Sequence, residues 1–90
     1  MPACDITIIN KLGLHARAAA KFVAIANNYA CDVKIGRSAD SLVDGKSIMA
    51  VMMLAAGKGT TLHLSTSGKK DQECLEALQA LINNYFDEGE

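Results

Sequence analysis

Apolar residues recur along this chain with two periods, and the switches between them divide it into elements. Cys4, Ile6 and Ile8 alternate with Asp5, Thr7 and Ile9. A period of two places one set of side chains on one face and predicts a first strand. Asn10 to Gly13 reads as a loop. From Ala16 to about Asn28 the period lengthens, with Ala19, Phe22, Val23 and Ala26 at i, i+3, i+4 and i+7. That spacing predicts an amphipathic helix with one buried stripe. Asn27 and Asn28 favour its end, because their side chains compete for backbone hydrogen bonds. Cys31, Val33 and Ile35 alternate with Asp32 and Lys34, predicting a second strand. Residues 36–40 are turn-rich, and Ser41 to Val43 form a short third strand in a hairpin with the second. Asp44-Gly45 is a turn signal.

A second helix is expected from Ser47 to about Ala56, ended by Gly57-Lys58-Gly59. A fourth strand covers Thr60 to Thr66, with Leu62 and Leu64 on one face and Thr61, His63 and Ser65 on the other. After Ser67-Gly68, a third helix runs from about Lys70 to Phe86. Its inward residues are Cys74, Leu78, Leu81, Ile82 and Tyr85, and Glu73 and Glu76 lie on the wetter side. Asp87 to Glu90 reads as a frayed acidic end. The order is βαββαβα. Each strand has one apolar face and each helix one stripe, so the economical packing is a four-stranded sheet with the helices over a single face. Where a connection joins parallel neighbours it is expected to be right-handed.

Ninety residues fit one domain, 1–90. Half of them are hydrophobic and 4% aromatic, with no Trp, so the core is aliphatic. The net charge of −1 argues against nucleic acid, whose phosphates require a basic surface. No run approaches the roughly 20 apolar residues that span a bilayer. Residues 1–5 lack the basic and apolar regions of a signal peptide, so a cytoplasmic protein is expected. Cys4, Cys31 and Cys74 are odd in number and widely spaced, which reads as buried thiols rather than disulfides or a metal site.

The candidate chemistry lies in Gly13-Leu14-His15-Ala16-Arg17. His15 falls where a helix begins, and Arg17 follows within the first turn. A helix start presents unpaired amides and the positive end of the dipole, and so favours a phosphate. A neutral imidazole has one nitrogen lone pair that can attack phosphorus. Phosphoryl transfer needs little beyond alignment and charge compensation. The amides near Ala16 and Arg17 and the Arg17 guanidinium supply both. His63 reads as an exposed strand residue. Gly57-Lys58-Gly59 is too short for a phosphate loop. No metal-ligand cluster or paired carboxylates point to a stand-alone enzyme.

The second helix is apolar all round, which a short surface helix should not be. Ile48, Val51, Leu54 and Ala55 share one face at helical spacing, and Met49, Met52 and Met53 the other. A small domain cannot bury both, and Met side chains suit a surface that fits several partners. Ser47 reads as the N-cap. A phosphate on it would add about two negative charges beside the Met surface and weaken partner binding without unfolding the chain.

The whole chain resembles the HPr family, histidine-containing phosphocarrier proteins of the bacterial phosphoenolpyruvate-dependent phosphotransferase system. The resemblance rests on Gly-Leu-His-Ala-Arg at 13–17, Asp-Gly-Lys-Ser-Ile-Met at 44–49, the length and the element order. It implies an α+β open-faced β-sandwich with a mainly antiparallel four-stranded sheet and three helices on one face. It also implies that His15 accepts a phosphoryl group on Nδ1 from enzyme I and passes it to enzyme IIA domains, with Arg17 stabilising the phosphate. Ser47 matches the serine modified by HPr kinase/phosphorylase. Ala16, Ala20, Ile48, Met49 and Met52 match the partner-docking surface. No cofactor or metal is implied, and a monomer is expected. The family often has proline where this chain has Ala18, which suggests a subfamily. Two other readings share these residues: a carrier in a nitrogen-type regulatory branch, and a binding protein that works through Ser47 alone.

Overall fold

The computed structural model describes residues 2–87. Its elements are β1 (Ala3–Thr7), α1 (Ala16–Ala26), β2 (Asp32–Gly36), β3 (Leu42–Asp44), α2 (Ile48–Met52), β4 (Thr61–Ser67) and α3 (Asp71–Asn83), followed by a 3₁₀ turn over Tyr85–Asp87. The expected order is therefore the observed one. The expected acidic end lies, beyond Asp87, outside the described residues.

The strands run in the order β1-β4-β2-β3, and every hydrogen-bonded pair is antiparallel. β4 lies between β1 and β2, so neither βαβ connection joins adjacent parallel strands and the handedness expectation has no pair to act on. Register sets the buried face. Ile6 lies opposite Leu62, Cys4 and Ile35 flank Leu64, and Val33 faces Thr66. Leu62, Leu64, Ile35 and Val33 are almost fully buried, as are Phe22 of α1 and Cys74, Leu78 and Ile82 of α3. The α1 stripe lies where its spacing put it: Ala19, Phe22, Val23 and Ala26 are all buried, joined by Ala18. The helices thus cover one face of an open-faced α+β sandwich.

The strands lie within two residues of their expected places, but all three helices end earlier than the sequence reading has them, each for a local backbone reason. α1 stops at Ala26, with the Asn27 amide closing the last turn onto the Val23 carbonyl. α2 is five residues long instead of ten. It tightens into i→i+3 bonds, Leu54 N–H to Val51 O and Ala55 N–H to Met52 O, and then Ala55 turns left-handed at φ 51°. The helix therefore ends before Gly57 is reached. α3 ends at Asn83, and Tyr85 and Phe86 both take positive φ. This reversal drives Phe86 into full burial and leaves Tyr85 39% exposed, so Phe86 fills the place the periodicity gave to Tyr85. The Lys21 ammonium donates to the Phe86 carbonyl at 2.8 Å and ties the reversal to α1.

Candidate functional site

The start of α1 is strapped from below. The Ile8 amide donates to Thr60 O at 2.9 Å, and the Gly59 amide to Ile8 O at 2.7 Å, which holds the chain leaving β1 against the chain entering β4. Asn10 is fully buried; its Nδ2 donates to Gly13 O at 2.9 Å, and the Gly13 amide to Asn10 O at 3.2 Å. Gly13 sits at φ +69°, and a Cβ there would lie 2.6 Å from Ala56 O and 2.8 Å from Gly57 Cα. Only glycine meets both demands. The buried Leu14 donates its amide to Ala56 O at 2.8 Å, and the His15 amide donates to Gly13 O at 3.0 Å.

His15 is then the N-cap, in extended backbone at φ −81° and ψ 178°, and its side chain makes no capping bond to the helix. Its carbonyl takes the first intrahelical bond, from Ala19 N–H at 2.9 Å. The amides of Ala16, Arg17 and Ala18 precede that bond and point out of the helix start. The first turn carries no acidic residue. The His15 side chain is half-buried, whereas Ala16, Arg17 and Ala20 are exposed. Arg17 makes no hydrogen bond or ion pair with another described residue, so its guanidinium can swing toward an anion at the helix start. Ala18, where a proline would often stand, is fully buried and packs into the core.

The second constellation lies on α2. Lys46 N–H donates to Asp44 Oδ1 at 2.9 Å, and Lys46 Nζ donates to Tyr29 O at 2.7 Å, which pins the turn before the helix. A Cβ on Gly45 would lie 2.5 Å from Val33 Cγ1. Ser47 is the N-cap, its Oγ accepting from Ala50 N–H at 3.2 Å. Of α2 only Val51 is buried. Ile48 is therefore separated from Val51, and with Met49, Met52 and Met53 it faces out; Met49 is 72% and Met53 79% exposed. Leu12, on the loop before His15, is 68% exposed and was not singled out by periodicity because loops have none. Sequence reasoning also missed Asn10, for which an asparagine three residues before a glycine was the available turn signal.

The remaining titratable groups stand apart from this chemistry. His63 lies opposite Asp5 in register, with its Nδ1 3.1 Å from Asp5 Oδ1, a cross-strand pair at the sheet surface. Cys31 and Cys74 are buried, and Cys4 is partly so. Burial, with Cys31 beside it, pushes the Cys74 thiol up to about 12, and burial also raises Cys4. The raised Cys4 and Cys74 thiols favour the protonated form over the thiolate. Among the described residues no group of His, Cys, Asp and Glu is placed to hold a metal ion.

Residues 3–84 match the family model for the HPr component of the phosphotransferase system, described by its phosphorylation site. The chain belongs to the HPr family. A phosphocarrier protein HPr from Pseudomonas aeruginosa is 71% identical over 90 residues, covering all of both chains. A crystal structure of HPr-C-His from Thermoanaerobacter tengcongensis superposes with a TM-score of 0.91 at 38% identity, covering 98% of each chain. A crystal structure of an HPr dimer from the same organism gives a TM-score of 0.72 at 38% identity, covering 96% of this chain and 98% of that one. The open sandwich is thus the HPr fold, and phosphocarrier is the family's activity.

Proposed function

We infer that this chain accepts a phosphoryl group on His15 from enzyme I, itself charged by phosphoenolpyruvate, and passes it to enzyme IIA domains during sugar uptake. The lone pair on a neutral His15 ring nitrogen, Nδ1 by family likeness, attacks the phosphorus held on enzyme I. A nitrogen–phosphorus bond forms on His15 as the bond to enzyme I breaks, and its electron pair stays with enzyme I. The same exchange, with a histidine of enzyme IIA as attacker, discharges the carrier. The observation that carries this reading is the pairing at the start of α1. A half-buried histidine ring that does not cap the helix stands two residues before an exposed arginine without a partner among the described residues. Arg17 and the amides of residues 16–18 neutralise the phosphoryl group. A helix terminus stabilises an exposed charge by only about 0.3–1 kcal/mol, so the group is held without being trapped.

Ala16, Ala20, Ile48, Met49 and Met52 form the docking surface for enzyme I and enzyme IIA, and the exposure of Leu12 and Met53 extends it. Ser47 sits at the edge of that surface. Phosphorylation there by HPr kinase/phosphorylase would add charge beside Met49 and weaken docking. With α2 only five residues long, the helix dipole contributes little, and the effect is carried by the charge next to the apolar side chains. No described helix is long and apolar enough to cross a membrane; a cytoplasmic location is proposed on family likeness. With its apolar patch reserved for partners, the chain acts as a monomer. High identity to a relative named HPr favours the sugar branch over the nitrogen-type branch, which would use the same histidine.

The test is a labelling chase. Incubation with enzyme I and labelled phosphoenolpyruvate should place one acid-labile phosphoryl group on each chain, and none on His15→Ala. The label should then move to a sugar-specific enzyme IIA. Persistent labelling of the variant rejects His15, and transfer only to a nitrogen-type enzyme IIA rejects the sugar branch.

A further inference from the structure

Arg37 is the first residue after β2, 17 residues before Leu54, yet its guanidinium reaches the turn that links the two constellations. Its Nη2 lies 2.8 Å from Leu54 O and 3.4 Å from Ala55 O, and donates to both carbonyls. These are the last carbonyls of the α2 turn, which the helix cannot satisfy internally. Ala55 is the residue held left-handed, a conformation that a non-glycine adopts only when its surroundings impose it. The next carbonyl, Ala56 O, is the acceptor for the Leu14 amide and the atom against which Gly13 is closed. The Gly13 carbonyl in turn accepts from the His15 amide. One contiguous path thus runs from the Arg37 guanidinium, through the backbone of residues 54–56 and the Leu14 and His15 amide bonds, to the N-cap histidine.

The arginine is launched from a firm base. Gly36 pairs with Leu42 of β3 and His63 of β4, and a Cβ there would lie 2.0 Å from Ser41 O. That close approach fixes the direction in which the chain leaves β2. A planar guanidinium presents several donors in a fixed fork, so a single side chain can serve two neighbouring carbonyls, which a lysine ammonium does less well.

We propose that Arg37 is a positioning residue for phosphoryl transfer: by holding the Leu54 and Ala55 carbonyls it fixes the 54–56 turn, and through Ala56 it fixes the backbone entry of His15. Arg37 touches no reacting atom and acts by keeping the ring in line with the incoming phosphorus, where small misplacements are costly. The kinetic part of the proposal rests on the His15 reading above, and the structural part does not.

Two readouts on Arg37→Ala test it, with Arg37→Lys beside it. Hydrogen exchange of the Leu14 amide, which reports its bond to Ala56 O, should speed up by about tenfold in Arg37→Ala and return part-way in Arg37→Lys. Exchange of the Leu64 and Ile35 amides in the central strands should not change. With enzyme I saturating, the rate of phosphoryl transfer should fall by about tenfold with KM little altered. A raised KM with normal Leu14 exchange would mean that Arg37 contacts the partner and would overturn the proposal, as would unchanged exchange and rate. If the wild-type chain takes no label from enzyme I, the phosphocarrier reading fails, while the Leu14 exchange still decides whether Arg37 holds the turn.

Discussion

The starts of α1 and α2 place two short polar side chains in the same backbone role and put them to different uses. At α2 the Ser47 hydroxyl accepts from Ala50 N–H, so the side chain is committed to its own helix. At α1 the His15 ring makes no capping bond to the helix, and the entry of the helix is held by backbone and side-chain bonds from Asn10, Gly13 and Ala56. The surroundings differ in the same sense. The α1 start offers amides and an arginine, which attract an anion. The α2 surface offers Ile48, Met49 and Met52, which attract an apolar partner and repel an anion. On the proposed reading the reacting group sits at the α1 start alone, while docking spans Ala16 and Ala20 of α1 and the apolar residues of α2, so the α2 side chains can be altered with little effect on the chemistry.

Variants that exchange these properties should separate them. Arg17→Glu reverses the only cation in the first turn of α1; removal of such charge stabilisation is worth about 10²–10³-fold in rate, and stopped transfer assays should show a loss of that order with normal enzyme I affinity. Met49→Glu places a charge in the apolar patch. Calorimetry should show enzyme I binding weakened by about 10–100-fold, with thermal stability unchanged because Met49 is 72% exposed. Equal losses of rate and affinity in both variants would erase the division.

Ser47 gives a finer test. Aspartate caps a helix about as well as serine does, whereas alanine costs about 1 kcal/mol. Ser47→Asp should therefore keep its denaturation midpoint and lose about fivefold in enzyme I affinity. Ser47→Ala should do the reverse. The last test concerns neither region. Cys74 is pushed from an ordinary 9.0 to about 12 by burial and by Cys31. The fold then holds a proton that the unfolded chain releases, so this contribution to stability is complete below pH 9.0 and is lost as pH rises toward about 12. Denaturation at alkaline pH should show that decline, and Cys74→Ala should flatten it.

Much of this arrangement is legible in the sequence, and the parts that are not share a cause. Ala19, Phe22, Val23 and Ala26 announce α1 because burial of a helix stripe imposes a period. Leu62 and Leu64 announce the central strand in the same way. Gly13-Leu14-His15-Ala16-Arg17 announces the candidate site because glycine, a ring nitrogen and a guanidinium each mark a distinct physical demand. Periodicity carries no information about a left-handed Ala55 or the paired left-handed Tyr85 and Phe86, since alanine and aromatic residues do not favour that region. The length of α2 and the burial of Phe86 were lost with them. Nor could a pattern along the chain bring Arg37 to the Leu54 carbonyl, a contact made only when β2 and the α2 turn meet in space.

On the proposed function the phosphoryl group resides on one ring nitrogen of His15. Nitrogen–phosphorus NMR on uniformly ¹⁵N-labelled chain, after reaction with enzyme I and phosphoenolpyruvate, tests it most directly. A single phosphorus coupled to Nδ1 of His15 is expected, with the His63 ring unchanged beside Asp5. Phosphorus bonded to His63, to Ser47 or to no histidine at all would contradict it.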